Sequence, residues 1–226
     1  TDDKLMAEYH MDEGGTSQTI TDTSGNGNTL YRGNDGTTEN DDPTWVSSDG
    51  GQWDGRSDIQ FSSGDSLGFD GSDDGATAAS SSTLRLTHNV TAEFWIKLNM
   101  NSNDIPSVQN IFTHWTTGWL SAGGFGMDIS SVRMHLGIMK SSTIYHCRYN
   151  NPNLIKDNWY HIAFVHEYPD TLRIYVNGTK INESTIASGA IQDVDFGLEF
   201  GRFATQPYLN GTLDEFRLYN KTMSDD

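Results

Sequence analysis

Short runs of alternating apolar and polar residues, bounded by turn residues, constrain the fold of this chain more than any other feature. In VTAEFWIKLN (90–99), Ala92, Phe94, Ile96 and Leu98 fall on one face of an extended strand, since side chains alternate with a period of two. Helical periodicity is nearly absent along the sequence. The pattern therefore predicts an all-β fold with many short strands.

Two further segments refine this prediction. NWYHIAFVHE (158–167) is apolar on both faces, as an inner strand of a β-sandwich would be. TLRIYVNGTKI (171–181) predicts a β-hairpin, because Asn177-Gly178 suits a two-residue turn with positive φ at both positions. We interpret the polar region 33–82 as long loops joining short strands. The prediction is one domain over 1–226, excised from a longer protein.

Charge narrows the set of partners. The formal net charge is −17, with 14 basic and 31 acidic residues. Such a surface repels phosphate backbones, so we expect no nucleic-acid partner. No uncharged apolar run is long enough to span a bilayer, so we expect no membrane insertion by this domain.

Several motifs follow one another in an order that resembles a known family. They are LMAEYHMDEGG (5–15), TDTSGNGNTL (21–30), LGFDGSDDGA (67–76) and YLNGTLDEFRLYNKTMS (208–224). Together they resemble the laminin-G-like branch of the concanavalin A-like lectin/glucanase superfamily. The resemblance implies a two-sheet antiparallel jelly-roll sandwich. The sequence departs from the family pattern in 33–58 and in 100–125.

The polar loop 21–30 suggests an oxygen-rich metal site. Asp22, Ser24 and Asn26 have the spacing with which a loop turns alternate oxygens towards a hard cation. The segment DGSDDG (70–75) repeats this pattern. An Asx-turn loop without metal is the alternative, since Asp side chains also accept backbone N–H groups in turns.

The last predicted strand breaks its alternation at Asp214-Glu215. Such a break predicts a β-bulge that turns Asp214 away from solvent, where its charge needs compensation. The resemblance implies that Asp22 and Asp214 hold a structural Ca²⁺ together with backbone carbonyls. Asn26 and Asn28 are the further candidate ligands. The alternative for Asp214 is a carboxylate that accepts backbone N–H bonds.

The segment FTHWTTGWLSAGGFGMDI (112–129) carries the candidate ligand contacts. Trp115 and Trp119 lie between two predicted strand ends, and an exposed aromatic ring can bind the apolar face of a sugar. His114 could then reach sugar hydroxyls. The alternative is that one or both tryptophans fold back over the core.

The sequence lacks the motifs of the catalytic classes considered. It contains no Glu-x-Asp-x-x-Glu strand, Gly-x-Ser-x-Gly elbow or His-Glu-x-x-His motif. We therefore predict a protein that is not an enzyme: a recognition or adhesion module of a secreted, cell-surface or virion-surface protein, binding a glycan or a surface protein. A structural domain of a virion spike or surface array is the alternative, and a glycoside hydrolase with a relocated acid pair is a third hypothesis.

Overall fold

The computed structural model describes residues 4–33, 35–47, 64–115, 123–202 and 207–223, which form two antiparallel β-sheets. The strands, in chain order, are β1 (Leu5–Tyr9), β2 (Thr19–Ile20), β3 (Leu30–Arg32), β4 (Thr44–Val46), β5 (Ser66–Asp70), β6 (Ala76–Ala78), β7 (Val90–Leu98), β8 (Gln109–Trp115), β9 (Gly124–Ile129), β10 (Arg133–Lys140), β11 (Thr143–Asn150), β12 (Trp159–Glu167), β13 (Thr171–Val176), β14 (Thr179–Thr185), β15 (Leu198–Phe200) and β16 (Asn210–Tyr219).

The first sheet has the strand order β14-β13-β12-β7-β16-β5-β4, with β1 also paired to β16. The second sheet has the order β11-β10-β9-β8-β15-β6-β3-β2. A short 3₁₀ turn spans Ser102–Asp104, and within the described ranges no helix is long and apolar enough to cross a membrane. The predicted all-β, two-sheet antiparallel jelly-roll sandwich is confirmed.

Strand β16 changes partners half-way along its length. Its first half pairs with β5, its second half pairs with β1, and β7 runs along its other side. Between the halves, the register to β7 shifts at Asp214, and Glu215 has a φ of +50°. This bulge confirms the interruption predicted from the sequence. It lets both Leu213 and Phe216 point into the core, where each exposes 1% of its surface.

Aromatic rings from both sheets meet in the core. The Phe216 ring lies 4.8 Å from Phe200 and 5.2 Å from Phe112, which both belong to the second sheet. Phe164 of the first sheet stacks on Phe112, with ring centroids 5.7 Å apart and an interplanar angle of 9°. Aromatic pairs at such separations contribute stability beyond their buried area, so this cluster ties the two sheets together.

The other strand predictions are confirmed as well. Ala92, Phe94, Ile96 and Leu98 of β7 are all buried, and β12 lies between β7 and β13 as an inner strand. The β13–β14 hairpin closes through Asn177-Gly178, whose φ angles are +49° and +73°.

The β10–β11 hairpin has the same kind of turn with a different sequence. Lys140 pairs with Thr143, so Ser141 and Ser142 form a two-residue loop. Their φ angles are +46° and +66°, the left-handed values that a type I′ turn requires at both positions. Serine adopts this region at a cost that Asn-Gly largely avoids.

We expect the double variant Ser141→Asn, Ser142→Gly to raise the free energy of unfolding by about 1 kcal/mol, because it removes the strain of two serines with positive φ. Urea denaturation at pH 7 measures this difference. Gly178→Ala is a control with the opposite expected sign. It adds a Cβ at positive φ in open space and should lower the free energy of unfolding by about 1 kcal/mol. A double variant less stable than the original chain would contradict the turn assignment.

Candidate functional site

The loop 22–28 uses its acidic side chain to bind its own backbone. Asp22 Oδ1 accepts N–H bonds from Glu8 at 3.1 Å and from Ser24 at 3.0 Å, and Asp22 Oδ2 accepts the N–H of Asn28 at 2.8 Å. The bond from Ser24 is that of an Asx turn. Three backbone donors therefore already compensate the charge of the buried Asp22 carboxylate.

The two asparagines of this loop are also bonded to the protein. Asn28 Oδ1 accepts the hydroxyls of Ser81 and Thr83, and Asn28 Nδ2 donates to the Met6 carbonyl. Asn26 Nδ2 donates to β1 carbonyls, the shorter bond being 2.8 Å. The side chains of Asn26 and Asn28 thus hold the loop against β1 and the segment 81–83.

Asp214 is buried as predicted, with 3% of its surface exposed, and its Oδ1 accepts the N–H of Glu215 at 2.9 Å. Neither Asp214 nor Asp22 belongs to a group of three potential metal ligands among the described residues. Those groups are Glu39, Asp41 and Asp42, and Asp70, Asp73 and Asp74. The geometry agrees with the alternative of backbone N–H acceptors, and calcium binding by Asp22, Asn26, Asn28 and Asp214 stays a prediction.

Trp115 and His114, candidate ligand contacts in the sequence, are both buried, which agrees with the alternative that Trp115 folds back over the core. Trp115 exposes 2% of its surface and packs against Met139, and His114 exposes 1%. Burial lowers the pKa of His114, whose Nδ1 lies 3.1 Å from the Gly197 carbonyl oxygen. A ring with no exposed face cannot stack on a sugar. Trp119 lies outside the described residues.

A hydrogen-bonded chain of three side chains instead crosses β9, β10 and β11 on the outer face of the second sheet, which is turned away from the first sheet. His135 Nδ1 lies 2.9 Å from Asp128 Oδ2, and His135 Nε2 bonds to His146 Nδ1. Asp128 and His135 expose 1% and 3% of their surfaces, whereas His146 is half-buried. The chain thus runs from a buried carboxylate to a partly exposed imidazole.

The buried carboxylate of Asp128 determines which nitrogen atom of His135 carries the donated proton. An ionised Asp128 can only accept, so we assign the donor role to His135 Nδ1. When both imidazoles are neutral, His135 Nε2 accepts from His146 Nδ1–H, and His146 Nε2 keeps a free lone pair. In that state the outer end of the chain is a hydrogen-bond acceptor, suited to a hydroxyl group.

Arg133 and Arg148 flank His146 on the same face, and we call these three residues the arginine–histidine patch. Burial, then the nearby His135, Arg148 and Arg133, lower the pKa of His146 to about 4, so its imidazole is neutral at pH 7. Arg148 is exposed, and the half-buried Arg133 has a buried Nε without a hydrogen-bond acceptor. The patch offers guanidinium donors to an anion on a protein of net charge −17.

A shallow depression of about 250 Å³ lies at β6 and β15 of the same sheet. Its polar lining comes from Thr77, Ser80, Asp195 and Glu199. Ser80 Oγ donates to Asp195 Oδ1, and burial raises the pKa of Glu199. An oxygen-rich depression of this kind can accept hydrogen bonds from ligand hydroxyls.

Sequence reasoning missed the Asp128–His135–His146 chain because it examined histidines by their spacing along the sequence. His135 and His146 are eleven positions apart and meet only through the register of the β10–β11 hairpin. That register depends on the turn at Ser141-Ser142, which lacks the Asn-Gly signal of a two-residue turn. A correct turn assignment would have placed both histidines on one face.

Comparison with known proteins gives the family. Residues 70–226 match a laminin-G-type family model described as the concanavalin A-like lectin/glucanases superfamily. The chain belongs to this superfamily. The resemblance stated from the sequence motifs is thereby confirmed. Asp214 lies within the matched residues of this superfamily domain, whereas the loop 22–28 lies outside them.

Solved structures share the fold at low sequence identity. The botulinum neurotoxin serotype G binding domain is 16% identical, with a TM-score of 0.69 over 98% of this chain and 49% of that one. The botulinum neurotoxin serotype D ligand binding domain in complex with N-acetylneuraminic acid is 12% identical, with a TM-score of 0.66 over 99% and 49%. Domain 4 of AbnA, a GH43 extracellular arabinanase from Geobacillus stearothermophilus, in complex with arabinotriose, is 17% identical, with a TM-score of 0.65 over 98% and 95%.

The chain spans about half the length of the toxin binding domains that it matches. No curated protein sequence matches it. At these identities the structural similarity shows the fold alone.

The neutral state of His146 makes stability depend on pH. Its pKa falls from 6.5 to about 4 on folding, so the unfolded chain binds more protons below pH 6.5, and the free energy of unfolding should decrease as the pH falls from 6.5 towards 4. We expect His146→Gln to lose less stability between pH 7 and pH 5 than the original chain. Urea denaturation at both pH values measures this difference.

Part of the pH dependence should remain in the His146→Gln variant. The pKa of His166 is also lowered to about 4, mainly by burial, and contributes with the same sign. The pKa of Asp74, raised by burial to about 6, contributes with the opposite sign because the folded state then binds more protons. Equal pH dependence in the variant and the original chain would refute the assignment to His146.

Proposed function

We propose that the chain is a non-catalytic glycan-recognition module of a secreted or surface protein, and that an acidic glycan binds at the arginine–histidine patch. The observation that carries the proposal is the unaccepted Nε donor of Arg133 beside the exposed guanidinium of Arg148 and the free acceptor of His146. Buried polar groups without partners are few in folded proteins, so the Arg133 Nε donor indicates a missing partner such as a ligand.

The chemistry of the patch fits a sugar carboxylate. A guanidinium group binds a carboxylate through charge-assisted and often bidentate hydrogen bonds. When both imidazoles are neutral, His146 Nε2 can accept a bond from a neighbouring hydroxyl, and His135, itself bonded to Asp128, orients the ring of His146. The arrangement therefore provides donors for an anion and an acceptor for a hydroxyl within one exposed cluster.

The comparisons support a binding role. Two proteins of the same fold are described in complex with sugars, one with N-acetylneuraminic acid, which carries a carboxylate, and one with arabinotriose. Several others are binding domains of toxins. This support is an analogy at the level of the fold, and the residues of the patch carry the argument.

The Asp128–His135 pair has the form of the acid–base half of a catalytic triad, but the next group along the chain is the imidazole of His146. A serine or cysteine nucleophile at that position would be needed for acyl transfer. A glycoside hydrolase is the second candidate, because Asp195 and Glu199 line one depression and the pKa of Glu199 is raised as a general acid requires. Turnover of a glycan lost in Glu199→Gln would support that candidate.

We expect Arg148→Gln to weaken the binding of a carboxylate-bearing glycan about ten- to a hundred-fold, as loss of a charged hydrogen bond does. A glycan array of sialylated and uronic-acid-containing sugars, followed by calorimetry on the best ligand, measures this effect. The matched control is Arg85→Gln, since Arg85 is an exposed arginine paired with Asp193. The esterified form of the same glycan should bind weakly to the original chain.

Equal affinity in Arg148→Gln and the original chain would place the glycan elsewhere. The absence of binding to every glycan on the array would favour the structural or assembly role, or a protein partner.

A further inference from the structure

Three carboxylates converge just before β4, in the segment where the sequence departs from the family pattern. Oxygen atoms of Glu39, Asp41 and Asp42 lie within 4.8 Å of one another. Glu39 is exposed, Asp41 is half-buried, and Asp42 exposes 6% of its surface. The group therefore opens to solvent on one side and ends on a buried carboxylate.

The buried member has an oxygen without a partner. Asp42 Oδ2 accepts the N–H of Glu39 at 2.9 Å, but Asp42 Oδ1 is buried and accepts no hydrogen bond. Burying an ionised oxygen without a donor or a cation is costly, and such atoms are few in folded proteins. A ligand that contacts Asp42 Oδ1 would remove this cost.

Gly33 lets that oxygen pack closely against the backbone. A Cβ atom placed on Gly33 would lie 2.3 Å from Asp42 Oδ1 and 3.8 Å from Asp41 Oδ1. Its φ of +67° is also a value that favours glycine. Any other residue at position 33 would therefore displace the Asp42 carboxylate.

The neighbouring guanidinium groups only partly neutralise this region. Arg202 Nη1 lies 3.7 Å from Asp41 Oδ2. Arg32 donates from Nε to the Pro43 carbonyl at 2.6 Å, and its charge also acts on Asp42 and Asp74.

A second acidic loop packs against the first. The N–H of Gly75 donates to the Asp41 carbonyl, which brings in the carboxylates of Asp70, Asp73 and Asp74. Among the described residues, these six carboxylates lie near the guanidinium groups of Arg32 and Arg202.

We propose that Glu39, Asp41 and Asp42 bind a divalent cation of the calcium type between their converging carboxylate oxygens. The potential ligands are carboxylate oxygens, which hard cations prefer, and water can complete the coordination at the exposed side. This site is distinct from the predicted calcium ligands Asp22 and Asp214. With three carboxylates from a loop, we expect a Kd of about 10⁻⁴ to 10⁻³ M, the range of calcium sites in extracellular modules.

Terbium luminescence tests the proposal, because Trp45 lies three residues from Asp42 and can sensitise a bound Tb³⁺ ion. Titration of the whole chain with Tb³⁺ should give a saturable signal that Ca²⁺ displaces. Asp42→Asn keeps an oxygen that can accept the Glu39 N–H. This variant should weaken the binding of both Tb³⁺ and Ca²⁺ at least ten-fold. The matched control is Asp73→Asn, which removes the same charge from an exposed position in the second acidic group and should retain binding.

The two candidate calcium sites give different outcomes. Asp22→Asn and Asp214→Asn should leave the Trp-sensitised signal and the Ca²⁺ affinity unchanged if the ion lies at Asp42. Loss of the signal in those variants with retention in Asp42→Asn would overturn the proposal and support the site at Asp22 and Asp214. Equal affinity in all variants, or no Ca²⁺ binding up to about 10 mM, would also overturn it. Circular dichroism of each variant verifies that the fold is retained.

Discussion

The bulge in β16 is the constraint on which the first sheet depends. A single strand there must pair with β7 along one side and with two different strands, β5 and β1, along the other. The extra residue at Glu215 shifts the alternation, so that Leu213 and Phe216 both face inward. Phe216 then contacts Phe200 and Phe112 of the second sheet. Without the shift, one half of β16 would turn its apolar side chains towards solvent.

Some polar groups of the sheets are bonded within the chain, and others are buried without a partner. On the first sheet, Arg217 is bonded to both Glu8 and Glu215, at 2.8 Å and 2.5 Å, so its donors meet acceptors within the chain. On the second sheet, Arg133 Nε and Asp128 Oδ1 are buried and unpartnered. Such groups reduce stability unless something binds them, and functional sites are where a fold tolerates that cost. Arg133 belongs to the arginine–histidine patch, so this cost is in keeping with the proposal that a ligand binds there.

The sequence predicted the structural features that local residue patterns determine. It did not predict the contacts between residues that are far apart along the chain. The alternation of β7, the turn at Asn177-Gly178 and the bulge at Asp214 are each visible within about ten residues. The role of Asp22 was ambiguous, because an Asx turn and a metal loop share one spacing. Trp115 was a candidate ligand contact with burial as the alternative, and all seven residues of β8 are buried. The contacts of His146 required the hairpin register, which no single segment contains.

The bond between the two sheets at one end of the sandwich has a consequence for association. Strands β11 and β14 are the long edges of their sheets, and free edges can add strands from other molecules. The Asn182 side chain of β14 donates a hydrogen bond to the Arg148 carbonyl of β11 at 2.7 Å, so these two edge strands contact each other. The opposite edges, β2 and β4, have two and three residues and offer little to a passing strand. This bond and the shortness of β2 and β4 reduce the strand edge that another molecule could pair with, while the side chain of Arg148 stays exposed.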